Sequence, residues 1–286
     1  MNIEVLLVSA FTQNGKGGNP AGVVLQADGL TNEQKLYIAK AVGFSETAFV
    51  SKDDEVDFNV SFFTTTEEVD FCGYATLAAF SVMFQQGIIT EGEYKQRTKA
   101  GVLKVSVNST EVIMEQCLPT RIEQLNARDV SDAIGIESSI LESTHLPIEI
   151  ISTGLPDIII PVPKGYLDSI VLDEAKATAC CKKHGAVGFH VFELNEEGDA
   201  YTASCRNFAP LVGIHEESAT GSASGALACY LAEHVKLNCN SYVFEQGRAM
   251  GCSSLIKARV ELSNSMITKV VVSGTATMQG SIEIPV

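Results

Sequence analysis

Three short stretches of the chain carry side chains that could do chemistry. Ser45-Glu46-Thr47 sets one carboxylate inside an otherwise uncharged run, Phe44 to Val50. Phe71-Cys72-Gly73-Tyr74-Ala75-Thr76 and Ser218-Ala219-Thr220-Gly221-Ser222-Ala223 are small or polar turns, and each opens a segment that stays uncharged for a dozen residues or more. If residues 44–50 alternate as a strand, Glu46 shares a face with Phe44, Ala48 and Val50. It is then either a solvated strand end or a general base whose pKa desolvation raises toward neutral. The two turns offer complementary chemistry, because the first N–H groups of a helix have no intrahelical partner and attract an anion. Two such helix starts in one chain suggest one site between two halves.

The elements that must position these groups follow from the pattern. The segments after Gly73 and Gly221 are apolar all round, so both are expected to be buried helices, and both are too short to cross a bilayer. Thr31-Asn32-Glu33-Gln34 has capping-box spacing, predicting a helix to about Val42 with a stop at Gly43. Strands are expected at residues 3–8, 21–25, 44–50, 57–64, 101–107 and 112–116. The acidic stretch Thr90 to Glu93 reads as a linker, and Pro119 with the polar run to Arg128 as a crossover. The pattern then restarts: a short helix at about 130–134, strands at 148–152 and 157–162, a helix from Asp173 to His184, strands at 187–193 and 200–208, and the second buried helix. Gly18-Asn19-Pro20 is echoed by Gly154-Leu155-Pro156, and Gly73 by Gly221 at a comparable offset, which indicates a duplicated α+β unit.

Composition sets limits. The 286 residues, 45% hydrophobic, suffice for two domains and a large core. A net charge of −15 and no run of Lys and Arg argue against nucleic acid as a partner. Neither a leader nor a membrane span is read, so a cytoplasmic protein with eight reduced cysteines is expected. No Cys or His spacing suggests a metal. The five histidines are scattered, and only His215 falls near the proposed site.

Gly18-Asn19-Pro20-Ala21, Ser45-Glu46-Thr47, Phe71-Cys72-Gly73, Arg206-Asn207-Phe208-Ala209-Pro210, Thr220-Gly221-Ser222-Ala223, and Glu245-Gln246-Gly247 through Met250-Gly251, in this order, resemble the PhzF family of phenazine-biosynthesis isomerase-like proteins. The resemblance covers nearly the whole chain. It implies a diaminopimelate epimerase-like fold: α+β, two pseudo-symmetric lobes, each a curved, mostly antiparallel sheet wrapped around a central buried helix, with the active site in the cleft between lobes. The expected boundaries are 1–118 for the N-terminal lobe, rejoined by 276–286, and 119–275 for the C-terminal lobe.

The resemblance also implies roles. Glu46 falls at the family's catalytic acid/base, which moves a proton in a small carboxylic acid without a cofactor. Cys72, Gly73, Tyr74, Glu217, Thr220, Gly221 and Ser222 would bind the substrate, and a homodimer is expected. Three departures bear on this: Tyr74 replaces a histidine, Glu217-Ser218 replaces Asp-Pro, and Gly251-Cys252-Ser253-Ser254 replaces Gly-Arg-Pro-Ser. Tyrosine, with a pKa of about 10, is a poor proton shuttle. Two alternatives therefore stay open. Epimerases and racemases of this fold use two opposed cysteines, and Cys72 stands at one of these positions with Thr220, a far weaker acid, at the other; a helix N-terminus favours a thiolate, while a small buried thiol packed beside the helix is the reading ranked above it. The other alternative is a catalytically degenerate small-anion binding protein.

Overall fold

The structure, a computed structural model, describes residues 2–235 and 239–286. It divides into two compact units, Met1–Glu115 with Ser273–Val286, and Gln116–Val272. The second unit opens at Gln116 and the return to the first at Ser273, against the 119 and 276 expected from the sequence.

In the first unit β1 (Asn2–Ala10) pairs antiparallel with β2 (Asn19–Val24), and helix α1 (Asn32–Val42) carries the chain to β3 (Thr47–Ser51), parallel to β2. α1 begins as expected, with Thr31 and Gln34 exchanging side-chain and backbone hydrogen bonds, and ends at Gly43 in the left-handed conformation. β4 (Phe58–Phe63) and β5 (Glu68–Val69) continue antiparallel, and helix α2 (Gly73–Gln85) leads to β6 (Gly92–Thr98), parallel to β4. β7 (Gly101–Val107) and β8 (Val112–Gln116) complete the run.

The second unit opens with β9 (Thr120–Leu125), α3 (Ala127–Ile134) and α4 (Ser138–Glu142). It then repeats the first unit's topology. β10 (Ile148–Ser152) pairs antiparallel with β11 (Pro156–Val162), and α5 (Glu174–His184) crosses to β12 (Gly188–Leu194), parallel to β11. β13 (Ala203–Ala209) and β14 (Ile214–Glu217) follow antiparallel; α6 (Gly221–His234) leads to β15 (Ser241–Gln246), parallel to β13. β16 (Ser254–Ser263) and β17 (Met266–Gly274) follow, and β18 (Ala276–Pro285) returns to the first unit, antiparallel to β1.

Both units are therefore mostly antiparallel sheets wrapped around one helix. α2 packs against β1, β2, β3, β7 and β18, and every residue from Tyr74 to Met83 is buried. α6 packs against β10, β11, β15 and β16 and is buried from Ala223 to Leu231. Isolated helices of this length are marginal in water, so burial holds them: each enclosed Leu, Val or Phe contributes about 1.5–3 kcal/mol. On the opposite sheet faces, α1 covers Val24, Phe49 and Phe63, while α3 and α5 cover Ile158, Ile160, Phe189, Val191 and Phe208.

Three expectations need correction. The strand at 44–50 starts only at Thr47, because the chain must turn at Phe44 and Ser45 after the left-handed Gly43. The linker at 90–93 runs into β6, and the crossover at 119–128 contains β9, which pairs with β10. The strands after residue 240 carry no earlier expectation.

Candidate active site

Glu46 sits one residue ahead of β3. Its carbonyl accepts the Gly22 N–H at 3.1 Å, so the β2–β3 pairing fixes its backbone. Gly22 is required there, since a Cβ would lie 2.7 Å from Oγ1 of the fully buried Thr47. Side-chain alternation turns Glu46, like Ala48, to the face that packs on α2, away from the face where α1 covers Phe49. The residue is half-buried, and its Oε2 is shielded from solvent. A carboxylate held this way can exchange a proton with a substrate carbon without competition from water on that oxygen.

At the start of α2, Cys72 is the N-cap and is buried. Its Sγ accepts the Ala75 N–H at 3.4 Å, and its carbonyl accepts the Thr76 N–H and hydroxyl at 3.0 and 2.8 Å. The thiol thus serves the helix terminus. Gly73 opens the helix, and Tyr74 is buried with its hydroxyl shielded from solvent.

The start of α6 is built differently. Thr220 is the N-cap, yet its side chain makes no cap hydrogen bond; Oγ1 instead donates to Glu217 Oε2 at 2.6 Å. Gln246, fully buried on β15, braces the turn: Nε2 donates to the Glu217 carbonyl at 2.7 Å and to Thr220 Oγ1 at 3.1 Å, and Oε1 accepts the Thr220 N–H at 3.2 Å. Gly247, with φ of 88°, brings the next turn so close that a Cβ would lie 2.5 Å from the Cys252 carbonyl and 2.9 Å from that of Ser218. Gly221 is buried and Ser222 half-buried, and the Ser222 carbonyl accepts the Thr153 hydroxyl at 2.9 Å. With the Thr220 hydroxyl turned to Glu217, the N–H groups of the first turn are not taken by their own N-cap, which suits the terminus to an anion.

Within the first unit the structure places Glu46, Cys72, Gly73 and Tyr74 on or beside the elements around α2. Within the second it gathers Glu217, Thr220, Gly221 and Ser222 into one braced turn. His215 belongs to neither: it is exposed and pairs with Glu174 at 2.5 Å.

Sequence reasoning missed three buried polar residues of the second unit. Asp157, His190 and Asn207 are 4, 0 and 1% exposed. Asn207 Nδ2 lies 3.2 Å from His190 Nδ1. Burial drives the His190 pKa down to about 3, so the ring is neutral and Nδ1 accepts. Burial and the Glu217 charge push Asp157 up to about 7, against an opposing hydrogen bond from Asn207. The available signal was the polar residue heading the apolar run Asp157-Ile158-Ile159-Ile160. Among the described residues no group of three or more His, Cys, Asp or Glu could hold a metal ion, and no helix is long and apolar enough to cross a membrane.

Comparison with known proteins adds a family context. The PhzC-PhzF family model, described as phenazine biosynthesis-like protein, matches residues 8–281. The uncharacterized isomerase YddE of Escherichia coli K12 is 33% identical, with 97% of each chain covered. The trans-2,3-dihydro-3-hydroxyanthranilate isomerase of Pseudomonas chlororaphis is 30% identical over 96% of each. Among solved structures, a PhzF-family phenazine biosynthesis protein of Bacillus anthracis superposes with a TM-score of 0.90 at 28% identity, all of both chains covered. A hydroxyproline epimerase from Agrobacterium vitis shares the fold alone, with a TM-score of 0.67 at 10% identity, covering 99% of this chain and 91% of that one.

Proposed function

Because the chain belongs to the PhzC-PhzF family of phenazine biosynthesis-like isomerases, we propose that it moves a proton within a small carboxylic acid, with Glu46 as the base and no cofactor. The Glu46 carboxylate takes a proton from a carbon activated by the substrate's unsaturation or carboxylate. The C–H bond breaks, its electron pair enters the substrate's conjugated system, and an O–H bond forms on Glu46. The Glu46 carboxyl, its proton open to exchange with solvent, then protonates a different carbon, so product and substrate are isomers and no oxidant or reductant is consumed. The start of α2, in the same unit as Glu46, supplies N–H groups for the substrate carboxylate, where a helix terminus stabilises negative charge.

The observation that carries the reading is the Glu46 side chain, half-buried with one carboxylate oxygen closed to water and turned to the face of the central helix. The departure at Tyr74 argues for a substrate other than the one named for the Pseudomonas relative, since a phenol relays protons poorly at neutral pH. A reading with Cys72 as the base is weaker, because its sulfur already accepts the Ala75 N–H. The test is a panel of carboxylic acids, trans-2,3-dihydro-3-hydroxyanthranilate included, incubated with the protein in D2O and followed by NMR. Deuterium entering a carbon position of at least one acid supports the reading; binding of acids with no incorporation in any of them supports a small-anion binding protein instead.

A further inference from the structure

β6 carries one inward side chain that its surroundings do not call for. Gln96 is fully buried and lies opposite Phe58 in the parallel β4–β6 register, where Phe58 packs on Tyr94 and on Phe80 of α2. An apolar residue would suit that place. The amide also leaves one acceptor unused, since Oε1 has no hydrogen-bond partner among the described residues, and a buried acceptor in that state is destabilising.

The other end of the amide holds the start of α2. Its Nε2 donates to Oγ1 of Thr76, also fully buried, at 3.2 Å, and that hydroxyl donates to the Cys72 carbonyl at 2.8 Å. A hydroxyl has one hydrogen. Thr76 gives its hydrogen to the carbonyl and so can only accept from Gln96, which makes the chain of donors run one way, from amide to hydroxyl to carbonyl. The Cys72 carbonyl accepts the Thr76 N–H as well, at 3.0 Å. It shares a peptide unit with the nitrogen of Gly73, whose N–H opens the helix and has no helix carbonyl to bond. Gly73 is half-buried, and a Cβ there would meet nothing nearer than the Phe71 ring at 3.9 Å, so its backbone can be approached closely.

The second unit repeats the arrangement. Gln246 lies on β15, the strand that follows α6, is fully buried, and donates from Nε2 to Thr220 Oγ1 at 3.1 Å. Gln96 follows Gly73 by 23 residues and Gln246 follows Gly221 by 25. A buried glutamine that reaches a threonine at the start of the central helix thus occurs in both units.

Resting on the proton-transfer reading above, we propose that Gln96 is a positioning residue for the start of α2: acting through Thr76, it fixes and polarises the Cys72–Gly73 peptide, whose N–H receives the substrate carboxylate.

Hydrogen bonds in series strengthen one another. Negative charge spreads toward the substrate carboxylate as Glu46 takes the proton, so a stronger Gly73 donor counts more in the transition state than in the bound substrate. The loss of Gln96 is therefore felt in kcat more than in KM.

Cys72–Gly73 is the only Cys-Gly step in the chain. The full chain labelled with 13C at cysteine carbonyls and 15N at glycine therefore gives a single carbonyl–amide NMR correlation, which reports this peptide. In Gln96→Met the Cys72 carbonyl signal is expected to move upfield, the direction of a weakened hydrogen bond, and in Thr76→Val to move further. A signal that stays in place overturns the inference. The urea midpoint of Gln96→Met is expected to be no lower than that of wild type, because the unused Oε1 leaves with the amide. For whichever panel acid exchanges, kcat is expected to fall about two- to fivefold with a smaller change in KM. In the Thr76→Val background Gln96→Met should cost no further rate, since its route to Cys72 is gone. Rate losses that add in the double variant, or that follow a lowered midpoint, mark a residue that only supports the fold and also overturn the inference. If Gln96→Met does not fold, Gln96→Leu gives the same readings. If no acid ever exchanges, the proton-transfer reading fails and the NMR signal alone decides whether Gln96 sets the start of α2; exchange with an unmoved signal leaves that reading standing and removes Gln96 from it.

Discussion

Thr220 spends its hydroxyl on Glu217, 2.6 Å away, instead of on the N–H groups of the helix it begins. Cys72 at the start of α2 does the reverse and caps Ala75 through its sulfur. One helix start thus has one of its N–H groups taken by its own N-cap side chain, while the other has none taken in that way.

Thr220→Val keeps the shape of the side chain and removes the donor. Hydrogen bonds to charged groups contribute about 1.5–3 kcal/mol, and Glu217 is half-buried, so a loss near the lower end is expected. Urea unfolding of Thr220→Val and of the Thr220→Val, Glu217→Gln double variant reads it. The double variant should be less destabilised than the two single losses added together, because both single changes remove the same hydrogen bond.

Gly22→Ala drives a Cβ into Thr47, with contacts of 2.7 Å to Oγ1 and 2.9 Å to Cγ2. Overpacking of this kind costs about 1–3 kcal/mol. It also displaces the backbone that carries Glu46, so the exchange rate should fall further than stability does. Thr47→Ala in the Gly22→Ala background should restore part of both, since the remaining contact is to the Thr47 Cβ at 3.3 Å. Equal activity in Gly22→Ala and wild type would separate Glu46 from the β2–β3 pairing.

Stability should respond to pH in two opposed ways. Asp157 has a folded pKa of about 7, above its unfolded value. The folded state therefore binds the extra proton, and the stability it contributes is present below about 4 and lost as pH rises through about 7; the full shift corresponds to about 4 kcal/mol as an upper bound. His190 has a folded pKa of about 3, below its unfolded value. Its contribution is present above about 6.5 and lost as pH falls through about 3. Between about 4 and 6.5 the two slopes cancel in part. In Asp157→Asn only the His190 slope remains, so stability should climb more steeply with pH across that window than in wild type. Denaturant midpoints from pH 4 to 8 measure this, and parallel curves for the two proteins would contradict it.

How much of this was legible beforehand depended on whether the signal was local. Thr31 and Gln34 lie within one helical turn, and the uncharged stretches after Gly73 and Gly221 announce burial by themselves, so α1, α2 and α6 could be read directly. β9 could not, because Thr120 to Glu123 are exposed and, Ile122 apart, polar, and what makes them a strand is the partner β10. β6 is similar: Gly92-Glu93-Tyr94-Lys95-Gln96-Arg97-Thr98 has no apolar alternation, and its buried Gln96 reaches Thr76 of α2 at 3.2 Å. The polar row of His190, Asn207 and Glu217 comes from three strands, and only strand register brings it together. Glu46 was recognisable as a lone carboxylate among apolar residues, but its shielding from solvent depends on how β3 packs.

The account rests most heavily on Glu46, and deuterium incorporation from D2O into a panel acid, compared between wild type and Glu46→Gln, tests it most directly. The amide cannot accept a proton from carbon, so Glu46→Gln is expected to fold with an unchanged unfolding midpoint and to incorporate at least about a hundredfold less deuterium. Undiminished incorporation by a folded Glu46→Gln protein would contradict the assignment of the base.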